Sequence, residues 1–148
     1  MIRVENIKKY FPIKDGFFNN KSGDVKAVEN VSFEIPEGEI LGLVGESGSG
    51  KSTLGRAIIR LIEPTQGNIF YKNKNITKLS DSEMRKLRKD FQIIFQDPYA
   101  SLDPRKKVFD IISQGLKVHE KIDKNSMNQR VEEIIQDVGL QKIGRAHV

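Results

Sequence analysis

The 148-residue sequence contains no cysteine. Within these residues that excludes a disulfide framework, a cysteine-ligated zinc site, an iron–sulfur cluster and thiol catalysis. Histidine is nearly as scarce: His119 and His147 are the only two, too few for a histidine-rich metal centre. No stretch approaches the roughly 20 apolar residues that a membrane-spanning helix needs. The residues after Met1 mix charged and apolar side chains and lack the basic and apolar regions of a secretory signal. We therefore expect a protein made in the cytosol. There is also no internal repeat, Pro-rich linker or single-sign charge block.

What is there is a globular composition, 37% hydrophobic and 30% charged, with a formal net charge of +5. The charge suits anionic partners such as nucleotides, lipid headgroups or nucleic acid without choosing among them. The basic runs at 85–89 and 105–107 read as solvated faces, and no nucleic-acid-reading module accompanies them. We expect no nucleic-acid partner.

Alternation of Ile2 and Val4 with Arg3 and Glu5 predicts a short strand, and Val31, Phe33 and Ile35 predict a half-buried one. Residues 15–24 read as a loop. The run Ile40-Leu41-Gly42-Leu43-Val44 suits a strand buried on both faces of a parallel sheet. Leu54, Ala57, Ile58 and Leu61 recur at helical spacing, with Pro64 and Gly67 as the expected stop. Ile69 to Tyr71 and Phe91 to Phe95 read as strands. Ser80 and Glu83 form a capping box ahead of a basic helix. Residues 98–104 read as irregular and 108–116 as helical. A last helix carries Val131, Ile134, Ile135 and Val138 and closes at Gly139.

Chemistry concentrates in Gly45-Glu46-Ser47-Gly48-Ser49-Gly50-Lys51-Ser52, which matches G-x-x-x-x-G-K-[ST]. Glycines let the backbone wrap an anion so that successive N–H groups point inward. The helix that begins near Lys51 adds its positive end. Lys51 can reach the β- and γ-phosphates, the Ser52 hydroxyl can ligate Mg²⁺, and Thr53 can bond another phosphate. Average composition predicts on the order of 0.005 chance matches over this length, and the motif follows an apolar run and opens an amphipathic helix. A bare glycine-rich turn with an exposed lysine is thus disfavoured. A GTPase is also disfavoured: no Asp is followed three residues later by Gly, and neither Asn73 nor Asn75 opens an N-K-x-D motif.

The run Leu43 to Arg56, followed by Phe91-Gln92-Ile93-Ile94-Phe95-Gln96-Asp97-Pro98-Tyr99-Ala100-Ser101-Leu102-Asp103-Pro104-Arg105, resembles an ABC-transporter ATPase subunit. More narrowly, it resembles the second ATPase subunit of bacterial oligopeptide/dipeptide importers, as does Lys26 to Phe33. The resemblance spans 1–141. It implies an α/β P-loop NTPase fold, incomplete here, with an N-terminal antiparallel β-subdomain and P-loop core over 1–96 and a partial helical subdomain over 97–141. ATP and Mg²⁺ are the implied cofactors. The implied catalytic residues are Lys51 and Gln96, Gln96 matching the Q-loop glutamine beside the metal and γ-phosphate. The nucleotide contacts are Gly45, Glu46, Ser47, Gly48, Ser49, Gly50, Lys51, Ser52 and Thr53, with Ser52 and Gln96 toward Mg²⁺. The family stacks adenine on an aromatic near the N-terminus: Phe11 aligns best and Tyr10 is the alternative. Implied partners are membrane permease subunits, reached through residues 99–105, a second ATPase subunit and, indirectly, a peptide-binding protein. The implied location is peripheral, on the cytoplasmic face of the membrane.

Three family elements have no counterpart. There is no Gly-Gly pair and hence no signature sequence, no apolar run leading into Asp-Glu, and no switch histidine. We expect the 148-residue chain by itself to be marginally stable and inactive in hydrolysis, with the 40–44 strand exposing an apolar edge. The final residues Ile143 to Val148 can be encoded by ATC GGA AGA GCA CAC GTC, the start of a common sequencing adapter. We read 142–148 as a non-native tail. Two other readings stay open: a nucleotide-binding but catalytically silent polypeptide, and an importer subunit for another solute such as nickel or a sugar. A P-loop ATPase without a transport role is disfavoured by the 96–105 string.

Overall fold

The computed structural model describes residues 1–15, 20–97, 101–120 and 122–139. It divides into two compact units, Met1–Phe91 and Gln92–Val148. The first is built on a four-stranded antiparallel sheet of order β2-β1-β3-β4, from β1 (Ile2–Asp15), β2 (Asn20–Ile35), β3 (Gln66–Tyr71) and β4 (Lys74–Asn75). Much of the stretch expected as a loop at 15–24 belongs to β2.

β1 and β2 are far longer than the alternation suggested because bulges break it. Asn6 (φ 49°) is the extra residue of β1, and Asn30 (φ 53°) marks a bulge in β2. Asparagine tolerates this left-handed backbone better than most residues. The Asn6 N–H is satisfied by Ser32 Oγ at 2.8 Å. Gly67 (φ 97°) lets β3 pass the first bulge: a Cβ there would lie 2.6 Å from the carbonyl oxygens of Glu5 and Asn6. β3 and β4 join through Lys72 and Asn73, both left-handed as a two-residue type I′ hairpin requires.

Helix α1 (Lys51–Ile58) lays Leu54 and Ala57 on the sheet. The core joins Val4, Ile7, Val28, Ile69 and Leu54 with Ile76 and with Met84 of α2 (Asp81–Leu87). α1 ends before Leu61, at a different stop from the expected one. Arg60 (φ 52°) takes the left-handed position just past the helix. Its N–H donates to Ala57 O (2.9 Å) and the Leu61 N–H to Arg56 O (2.8 Å), the two bonds of a Schellman ending. Glycine ordinarily fills that position. Here the buried guanidinium holds it, Nη1 donating to Ile76 O (2.8 Å) and Leu79 O (2.9 Å) and Nη2 to Glu63. Arg88 adds a second grip on the same end, donating to Ile59 O and to Arg60 O (2.7 Å).

The capping box of α2 forms as expected: Glu83 N–H donates to Ser80 Oγ (3.4 Å) and Ser80 N–H to Glu83 Oε2 (2.9 Å). A 3-10 turn, Arg88–Asp90, follows, and Tyr71 meets Phe91 with centroids 4.8 Å apart.

Two expected strands are not formed. Residues 40–44 and 91–95 carry no strand pairing among the described residues. Ile40 is 96% exposed, Val44 95% and Ile94 92%. An extended apolar run makes a strand only when a neighbour accepts its N–H groups, and none of the described strands pairs with it. The second unit holds α3 (Val108–His119) and α4 (Lys124–Asp137), with Ser113 and Val131 buried. Asp123 Oδ1 caps α4, and Gly139 (φ 72°) follows its end as expected. The His119 side chain and residues 98–100 and 142–148 lie outside the described residues.

Arg60→Ala removes the donors from two carbonyls packed beneath a buried side chain. We expect a loss of about 2–3 kcal/mol, read as a lower urea midpoint at unchanged slope. Glu83 is held below the ordinary carboxylate range, first by the Ser80 backbone N–H and then by its hydroxyl. A depressed carboxyl stabilises the fold above its unfolded pKa, and that contribution is lost as pH falls through the folded value. Glu83→Ala is therefore expected to be less stable than the parent at neutral pH, with the gap closing below about pH 4.5. A gap that is constant from pH 7 to pH 3 would sink this account.

Candidate phosphate-binding site

Residues 45–53 connect the unpaired apolar run to α1. Gly48 (φ 80°) and Gly50 (φ 89°) are left-handed, and a turn bond from Ser49 N–H to Glu46 O (3.2 Å) closes the loop. Lys51 curls back over it. Its Nζ donates to Gly45 O (2.7 Å), Glu46 O (2.5 Å) and Ser49 Oγ (3.2 Å), which keeps an ammonium in the concavity. Gly45 lies close to Ser49: a Cβ on it would sit 2.9 Å from Ser49 Oγ.

The helix start is left open for an anion. Leu54 N–H is the first to bond within the helix, to Gly50 O (2.8 Å). The N–H groups of Lys51, Ser52 and Thr53 precede it and have no intrahelical acceptor. The N-cap is Gly50, with no capping side chain, and the first turn has no acidic residue. Most helices put Asp, Ser or Thr there. A glycine cap, a lysine and three outward amides form a cradle suited to phosphate oxygens.

Gly50 has a further task. A Cβ on it would lie 2.0 Å from Ala27 O, a position no side chain can share. Ala27 is the extra residue of a bulge in β2: Lys9 pairs with Val28 and Tyr10 with Lys26, leaving Ala27 without a partner. The bulged carbonyl thus presses against the junction of loop and helix. Sequence reasoning missed Ala27, and no side-chain pattern could have revealed it, because the contact is backbone to backbone.

Phe11 stands on β1, 41% exposed, with Lys9 Nζ 5.0 Å from its ring centroid. It pairs with Val25 of β2, two residues or about 7 Å along the strand from Ala27. Tyr10 is differently engaged. Its hydroxyl reaches both oxygens of Glu29, at 2.8 and 2.6 Å, and Lys26 Nζ lies 5.7 Å from its ring. Glu29 also pairs with Lys8 (3.1 Å) and Lys26 (3.4 Å). The Tyr10 hydroxyl first, then Lys8, brings the Glu29 carboxyl down to about 2. Phe11 and residues 45–53 belong to the first unit, and Gln96, exposed, belongs to the second.

Among the described residues no helix is long and apolar enough to cross a membrane. The sequence profile of the ABC transporter family matches residues 28–148. The chain is 49% identical over 141 residues to the oligopeptide transport ATP-binding protein AppF of Bacillus subtilis, covering 95% of this chain and 43% of that protein. It is 45% identical over 142 residues to OppF of Lactococcus lactis subsp. lactis, covering 96% and 44%. To the glutathione import ATP-binding protein GsiA of Escherichia coli it is 46% identical over 140 residues, covering 95% and 22%. It therefore spans less than half the length of these relatives. Among solved structures it resembles the dimeric ATP-binding cassette MJ0796 bound to ADP and Pi, with a TM-score of 0.80, 26% identity and coverage of 99% of this chain and 61% of that one. The profile match runs through the phosphate loop and across most of the sequence, so the chain belongs to the ABC transporter family.

Proposed function

We propose that this polypeptide is the ATP-binding part of a subunit that energises peptide import through ABC membrane subunits. The observation that carries the reading is the cradle at residues 45–53, with a glycine cap, a lysine in the concavity and outward first-turn amides. The peptide class is supported by the relatives, two of them oligopeptide transport proteins and one a glutathione import protein.

In this reading the amides of residues 48–53 and Lys51 Nζ receive the β- and γ-phosphates, and Phe11 receives the purine. Among the described residues no cluster of three or more His, Cys, Asp or Glu could hold a metal. Ser52 Oγ is the side chain proposed toward Mg²⁺, which would neutralise phosphate charge when bound, and Gln96 keeps the role that the family resemblance implies. This chain's own contribution is positioning and charge stabilisation. Residues 97–141 are proposed as part of a helical subdomain, with 99–105 facing a permease subunit on the cytoplasmic side of the membrane. A second ATPase subunit would close over the nucleotide, and a peptide-binding protein would act indirectly.

The first test is nucleotide binding by the 148-residue chain, read by calorimetry. Lys51→Ala is expected to weaken ATP binding by roughly tenfold or more, the scale of a charged hydrogen bond. Equal affinity in the two would overturn the assignment. The glycines should separate. Both are left-handed, so a side chain strains either, but Gly48 has open space around it whereas a Cβ on Gly50 meets Ala27 O; Gly48→Ala should weaken binding and Gly50→Ala should abolish it. Steady release of phosphate by this chain, abolished in Lys51→Ala, would contradict the expectation that it binds without turnover. Co-purification of the parent protein with permease subunits tests the docking role.

A further inference from the structure

β2 is irregular where it meets the phosphate loop. Ala27 is one extra residue and the step from Val28 to Val31 contains another, with Asn30 at φ 53°. Two bulges within four residues interrupt the ladder that would otherwise hold this stretch in register. Yet its exact course matters, because Ala27 O abuts Gly50 and Val25, two residues before it, pairs with Phe11. Something other than ladder bonds must fix it.

Glu29 sits between the bulges and makes those ties. It accepts the Tyr10 hydroxyl on both oxygens, at 2.8 and 2.6 Å. It also draws in Lys8 at 3.1 Å and Lys26 at 3.4 Å. Lys26 and Glu29 straddle Ala27 in the chain, and Tyr10 immediately precedes Phe11 in β1. One carboxylate therefore binds both flanks of the bulge and the residue beside the exposed ring. Each exposed ion pair is weak alone. A carboxylate shared by a hydroxyl and two ammonium groups restricts its neighbours more than any one of them does.

We propose that Glu29 is a positioning residue for the nucleotide, holding the Ala27 bulge and Tyr10 so that Phe11 stands at a fixed span from the phosphate loop. This rests on the reading of residues 45–53 and Phe11 as an ATP site. Tripolyphosphate needs only the loop, whereas ATP needs the loop and the ring at the right separation. A residue that sets the separation should affect ATP alone, while a residue that merely stabilises the fold should affect both ligands together.

The experiment measures binding of ATP and of inorganic tripolyphosphate to the 148-residue chain, to Glu29→Gln, to Tyr10→Phe and to the double variant. Tyr10→Phe removes one oxygen and is the milder probe should Glu29→Gln fold poorly. Both single variants are expected to weaken ATP by about fivefold, the lower range of a lost base–aromatic stack, with tripolyphosphate unchanged within about twofold. The double variant should be no worse than Glu29→Gln alone, since the Tyr10–Glu29 bond is common to both singles. Parallel loss of the two ligands, unchanged ATP affinity, or additive losses would each overturn the positioning role. Lys51→Ala serves as the control on the underlying reading: it should lose both ligands. If it loses neither, the site assignment fails, and the proposal fails with it for a different and visible reason.

Discussion

A single non-covalent contact organises the first unit: the carbonyl of Ala27 against the backbone of Gly50. The loop can turn into α1 there only because residue 50 has no side chain and can take φ 89°. The carbonyl can reach it only because β2 bulges at Ala27. Everything near the cradle is arranged around that meeting. α1 is seated on Val4, Ile7 and Val28 through Leu54, Lys51 closes over the loop it opens from, and Phe11 rises one short step along the ribbon. A side chain at residue 50 would force the loop or the strand to yield.

Features whose chemistry is contiguous in sequence were legible. The phosphate loop needs adjacent glycines, a lysine and a hydroxyl, so its pattern is written in one run. The capping box of Ser80 and Glu83 and the glycine after α4 are local for the same reason. Leu54 and Ala57 announced the buried stripe of α1 by spacing alone. Features that depend on backbone irregularity were not legible. Bulges at Asn6, Ala27 and Asn30 scramble the alternation that marks a strand, so β1 and β2 looked short. Arg60 performs a turn that glycine usually performs, and only the partners of its guanidinium explain why an arginine sits there.

Residues 40–44 teach a narrower lesson. Their composition says what they require, which is cover on both sides, and says nothing of whether cover is within reach. In the structure Ile40 and Val44 face solvent almost fully. Such apolar, β-prone surface favours self-association. Directly after them comes the glycine-capped loop at 45–53, with Lys51 folded back over it. A well-ordered loop and an unpaired apolar run can thus be contiguous, because the loop meets α1 and β2 on its far side.

The two arginines at the far end of α1 have an entropic consequence. A helix of eight residues is too short to persist by itself. Sheet contacts fix its first turn, Arg60 ties its end to the Ile76 carbonyl, and Arg88 holds the carbonyls of Ile59 and Arg60 just past it. The amides of residues 51–53 are consequently immobilised when the chain folds, before any anion arrives. Less freedom would then remain to be surrendered were phosphate oxygens to dock there as proposed above.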